Sequence, residues 1–92
     1  MSAYSTTVTL TSVSSYPTSP QFVCPFQPDY LVIRVESGTP GVYISLDGVN
    51  DHMHYKAADA FNVLLPTKAS RVWLREDGAG ASTALIAGFT KV

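Results

Sequence analysis

Asp47, Asn50, Asp51, His52 and His54 fall within one short stretch, VYISLDGVNDHMHY (42–55), and include both histidines of the chain. On a strand, residues two apart share a face, so His52 and His54 would form the His-x-His fragment found in zinc sites. Zinc needs three or four ligands at coordinated spacing, and only Asp47 and Asp51 are near enough to complete the set, by folding back. Calcium loops place oxygen ligands at alternate positions around a central glycine and close on a Glu. Here Gly48 and Val49 follow Asp47 directly and no Glu follows it until Glu76, so that pattern fails. The stretch is expected to be a polar loop without a metal, with Asp47-Gly48 there for turn geometry. Its histidines, titrating near neutrality, could tune an interface with pH. A small metal-dependent enzyme built on Asp47, Asp51, His52 and His54 is the competing reading.

Other chemistry is thinner. The sequence has no G-x-S-x-G, no H-E-x-x-H, no phosphate-binding loop and no dinucleotide fingerprint. Cys24 sits between apolar residues in FVCPF and reads as a small buried hydrophobe rather than a catalytic thiol. Glu36, Glu76 and Asp77 could pair as acids, but at strand ends they are expected to be surface charge. No catalytic residue and no cofactor is assigned, and the chain is expected not to be an enzyme.

The elements that must position these groups are strands. Residues 30–36, YLVIRVE, alternate, with Leu31, Ile33 and Val35 on one face and Tyr30, Val32, Arg34 and Glu36 on the other. SGTPG stops that strand. VYISL follows, with Val42, Ile44 and Leu46 inward and Tyr43 and Ser45 outward. FNVLL groups Phe61, Val63 and Leu65. RVWLRE turns Val72 and Leu74 inward and Arg71, Trp73 and Arg75 outward, and STALIAGFT closes the chain as a strand covered on both sides. A helix is conceivable only over residues 53–61. Six or seven short strands separated by turn signals predict a small antiparallel β-sandwich or barrel-like domain.

The 92 residues make one domain. A net charge of −1 excludes the basic balance of a nucleic-acid binder and gives no electrostatic reason to lie on an anionic membrane; no apolar run is long enough to span one. The start of the chain lacks a secretory pattern. With a lone cysteine, this predicts folding in a reducing cytoplasm.

The first charged residue is Asp29, and residues 1–28 hold eleven Ser and Thr. Residues 5–13 alternate as a strand; 14–29 read as a long connection holding a short strand near 21–24. Residues 1–28 are expected to be an uncharged arm working between subunits, and 29–92 the sandwich body. The alternative is that the first strand belongs to its own sandwich. Aromatic and Arg residues are enriched at protein interfaces, which makes Tyr30, Arg34, Tyr43, Arg71, Trp73 and Arg75 interface candidates on the face opposite the core. Val8, Leu10, Phe22 and Phe26 are the arm's candidate contacts. If the face belongs instead to a two-sheet core, Trp73 is buried.

From Tyr30 onward, the strand ending in R-V-x, the turn into VYISLDG, the NVLLP edge, RVWLRE, the Gly-rich turn and the apolar close resemble small virion structural proteins of tailed bacteriophages, of the capsid decoration or cement type. The resemblance implies a cofactor-free β-domain that binds the major capsid protein or other virion proteins and copies of itself. It implies manufacture in the bacterial host cytoplasm and residence on the capsid surface. A neck or tail position is the nearest alternative. A carbohydrate-binding sandwich, with Tyr43 and Trp73 as a sugar platform, is the alternative of another class.

Overall fold

A computed structural model describes residues 2–39, 41–55, 62–78 and 80–90. Among the described residues there is no helix, and eight strands form two four-stranded sheets. In order they are β1 (Ala3–Thr11), β2 (Phe22–Val23), β3 (Tyr30–Thr39), β4 (Val42–Ser45), β5 (Met53–Tyr55), β6 (Asn62–Leu65), β7 (Arg71–Glu76) and β8 (Ala81–Phe89). Sheet I runs β1-β8-β3-β6 and sheet II runs β2-β7-β4-β5, and every neighbouring pair is antiparallel. The expected all-β sandwich is present. It gains β5 from the start of the segment considered as a helix; the rest of that segment, 56–61 including Phe61, lies outside the described residues.

The core follows from period two. Leu31, Ile33 and Val35 from β3, Val42 and Ile44 from β4, Val72 and Leu74 from β7, and Ala84 and Ile86 from β8 are all buried. Alternate residues of each strand thus face the opposite sheet, as the sequence pattern requires. Leu46 and Leu65 pack against the edge of this cluster. β8 lies between two partners, and its register slips against β3 between Val35 and Ser37.

One expectation is overturned. Residues 1–28 are not an arm set apart from a body. β1 pairs along its whole length with β8, from Ala3↔Phe89 to Thr11↔Ala81, and Val8 and Leu10 are buried in the core of their own chain. A half-hydrophobic strand beside a bare edge satisfies its backbone and its side chains at once by pairing there. Ser12, at φ 52°, ends the strand, and its N–H donates to the Gly80 carbonyl.

The connection after Ser12 runs along the side of β7 away from β4. Val13 exchanges backbone contacts with Glu76: its carbonyl accepts from Glu76 N, and its N–H donates to Glu76 Oε1. Gln21 imitates a paired strand with its side chain, its Nε2 donating to the Leu74 carbonyl and its Oε1 accepting from Leu74 N. β2 then pairs Phe22 with Val72, and Cys24 N donates to the Ser70 carbonyl. Phe22, the third supposed arm contact, is 1% exposed, and Phe26 is half-buried against the core. Cys24 is buried, as the sequence suggests.

Candidate functional site: an arginine–aromatic cluster on sheet II

β7 presents Arg71, Trp73 and Arg75 on the face away from the core, and β4 presents Tyr43. Register places Tyr43 opposite both Arg75 of β7 and His54 of β5. Three side chains therefore stand in one row across three strands. The Arg75 guanidinium lies 3.9 Å from the Tyr43 ring centroid, a cation–π distance. His54 stacks on Tyr43 with centroids 4.0 Å apart and planes 9° from parallel. Because β4 runs between β7 and β5, the two neighbours approach Tyr43 from opposite sides, and both ring faces are occupied.

Carboxylates fix the two ends of the row. Asp51 accepts from Arg75 at both oxygens, Nε at 3.1 Å and Nη2 at 2.7 Å. This fork geometry is the strongest that an arginine makes with a carboxylate. Tyr16 adds its hydroxyl, donating to Asp51 Oδ1, and its ring lies 5.6 Å from the guanidinium. Hydrogen bonds from Arg75, then from Tyr16, hold the Asp51 carboxyl below the ordinary carboxylate range, and Arg75 is held above its own by Asp51. Burial first, and the Asp51 bond second, push the Tyr16 phenol upward. At the other end His54 Nε2 meets Asp77 Oδ2 at 2.6 Å. Asp77 Oδ1 accepts from Gly41 N, and the His54 contact, ahead of that backbone bond, lowers the Asp77 carboxyl.

The two histidines thus have separate employment. His52 Nδ1 accepts the Leu46 N–H at 3.0 Å, so in the neutral ring the proton sits on Nε2, 3.9 Å from Asp47 Oδ2. His54 turns to Tyr43 and Asp77. Asp47 is occupied with its own turn, accepting from Val49 N and Asn50 N at 2.8 Å each. The Asn50 and Val49 backbone bonds depress its carboxyl well below the usual range. Among the described residues no group of three or more His, Cys, Asp or Glu is placed to hold a metal. The cluster presents planar side chains held in fixed orientations.

Trp73 borders the cluster and is half-buried. Gly48, at φ 80°, brings its backbone against the indole: a Cβ there would lie 2.9 Å from Cε2. Ser45, opposite Trp73 in register and expected outward, is fully buried. Its hydroxyl donates to Asp47 Oδ1 and accepts from Gly48 N, so a local turn satisfies a polar group that the covering loop removes from water.

The remaining candidates scatter. Tyr30, stacked on Phe89 at 5.2 Å, and Arg34, exposed, lie on the outer face of sheet I. Arg71 is exposed on sheet II. The six outward residues thus occupy two opposite faces rather than one. Glu76 is not surface charge: it is 2% exposed and accepts from Val13 N and Ser82 Oγ. The Glu36 side chain lies outside the described residues. The sequence reading missed Tyr16, Asp51 and Asp77 as partners of the row. Tyr16 lies in a Pro-rich connection without periodicity, so no pattern could bring it beside Arg75.

No protein-family model, no curated protein and no solved structure matches this chain.

Proposed function

We propose that the chain is a structural protein of a tailed-bacteriophage virion, made in the host cytoplasm, that decorates or cements the capsid by binding the major capsid protein and neighbouring copies. The observation that carries this reading is the state of the sheet II face. Arg75 and Tyr43 belong to the residue types enriched where proteins bind proteins. Here they are already locked, by Asp51 on one side and His54 on the other. Side chains ordered before contact lose less entropy on binding. The strand-and-turn pattern from Tyr30 onward supports the virion assignment. A sugar platform is disfavoured at Tyr43, because a platform needs a free ring face and both are taken.

Protein profiling of purified virions, with a particle reconstruction, tests the proposal. Hundreds of copies on the capsid support it. About a dozen or fewer at a vertex move the chain to a neck or tail position, and absence from the particle removes the reading. Arg75→Ala and Tyr43→Ala are expected to weaken binding to empty capsids with little loss of fold.

A further inference from the structure

The edge strands of a sandwich, two to each sheet, are liabilities, and natural chains blunt them with shortness, charge, proline or bulges. Three of the edges here are short. β2 has two residues, β5 three, and β6 four followed by Pro66. β1 is different. It is nine residues long, carries no charge and no proline, and pairs with β8 without a register shift. Among the described residues no strand lies on its other side.

The backbone on that side can be assigned. Thr90 N donates to the Ser2 carbonyl and Ser12 N to the Gly80 carbonyl. These two contacts continue the β1–β8 register at either end, so even-numbered residues exchange bonds with β8. The N–H and C=O groups of Ala3, Ser5, Thr7, Thr9 and Thr11 therefore point to the free edge, and the side chains of all five are exposed. The strand beside it is uncharged too. β8 contains no Asp, Glu, Lys or Arg, and the first charged residue of the chain is Asp29. Tyr4, one of the exposed large apolar side chains, belongs to this strand and meets Phe22 across the sheets at 5.9 Å.

We infer that β1 is a self-pairing edge: two copies join β1 to β1 antiparallel, about a two-fold axis through Thr7, into one continuous eight-stranded sheet. The occupant is a second copy because of charge. In a two-fold pairing the edge meets a copy of itself and the residue on the axis meets its own kind, so a charge there would repel itself, whereas this edge brings together only Ala, Ser and Thr. Thr7 faces Thr7 of the other copy, Ser5 faces Thr9, and Ala3 faces Thr11. The five outward residues of each copy then exchange about ten backbone hydrogen bonds. Thr–Thr and Thr–Ser neighbours suit such a ladder. The dimer supplies a surface for the neighbouring-copies part of the proposed function but needs no capsid, so the two ideas fail separately.

Sedimentation equilibrium on the purified chain is the test, with Thr7→Lys and Thr7→Val as variants. A concentration-dependent dimer is expected, weakened about fivefold or more by Thr7→Lys, which sets two ammonium groups face to face, and kept by Thr7→Val. Thr7→Cys should cross-link to itself on mild oxidation, and Ser5→Cys, whose partner is Thr9, should not. A wild-type chain that stays monomeric at the highest soluble concentration overturns the inference. So does a dimer indifferent to Thr7→Lys, or one cross-linked through Ser5→Cys but not Thr7→Cys. Virion binding by a strictly monomeric chain would leave the proposed function standing and remove the self-pairing edge.

Discussion

The thiol of Cys24 fills the space beside Gly88: a Cβ built on Gly88 would stand 2.9 Å from Sγ, closer than real carbon atoms come. Gly88 sits on β8 opposite both Tyr4 and Leu31, so its backbone is held from both sides and cannot retreat. Gly88→Ala alone should cost about 2 kcal/mol by overpacking. Cys24→Ala alone should cost about 1 kcal/mol. Together they should cost less than the sum by about 1 kcal/mol or more, since the second change removes the atom that the first strikes. Urea denaturation of the four proteins measures the coupling; simple additivity would contradict the packing.

Gly48 is constrained twice, by its left-handed φ of 80° and by the Trp73 indole. Gly48→Ala is expected to lose about 2 kcal/mol. It should also shift Trp73 fluorescence, because the loop must lift off the only tryptophan. An unchanged emission spectrum would contradict the contact.

Glu76 ties three segments together. It ends β7, accepts from Val13 N in the connection after β1, and accepts from Ser82 Oγ on β8. Glu76→Ala leaves a part-buried N–H and a buried hydroxyl without that acceptor and should cost about 2 kcal/mol or more. Glu76→Gln, which keeps a carbonyl oxygen, should cost less. Equal losses in thermal melts would count against the hydrogen-bond account.

Acid should loosen the fold through the sheet II carboxylates. Asp47, Asp51 and Asp77 are all lowered from an ordinary value of 3.8. Between each depressed native pKa and 3.8, the unfolded chain binds more protons than the folded one, so stability rises with pH across that window. The contribution is complete above about pH 4–5 and fades as pH falls through the native values. Chemical denaturation from pH 7 downward should show this fall. Asp51→Asn and Asp77→Asn should flatten it, and high salt should shrink it, because the groups are near solvent.

Much of the fold is legible in period two alone. Val42, Ile44, Val72 and Leu74 are named inward by alternation and are fully buried. What alternation cannot supply is which edge a strand pairs with. Val8 and Leu10 alternate equally well as an arm or as β1, and only the bare side of β8 decides between them. Deleting residues 2–11 should consequently abolish cooperative folding by circular dichroism; a truncated chain with an unchanged melting temperature would restore the arm. The row of Arg75, Tyr43 and His54 follows from strand register, which a sequence without a two-residue hairpin loop leaves open. Its anchors Tyr16 and Asp51 come from irregular segments, where side-chain position depends on the assembled sheets.

Ser2 and Thr90 lie side by side at the end of the β1–β8 ladder, Ser2 N donating to Thr90 Oγ1 at 2.8 Å and Thr90 N to the Ser2 carbonyl at 2.9 Å. Any polypeptide attached before residue 2 or after residue 90, natural or engineered, starts from a single corner of the molecule. A tag at either end reports on the same neighbourhood, the Ala3 end of β1. The same adjacency suits circular permutation. A short linker can join the two ends, and the chain can be opened at the exposed Val49 tip, 78% accessible, without cutting a strand.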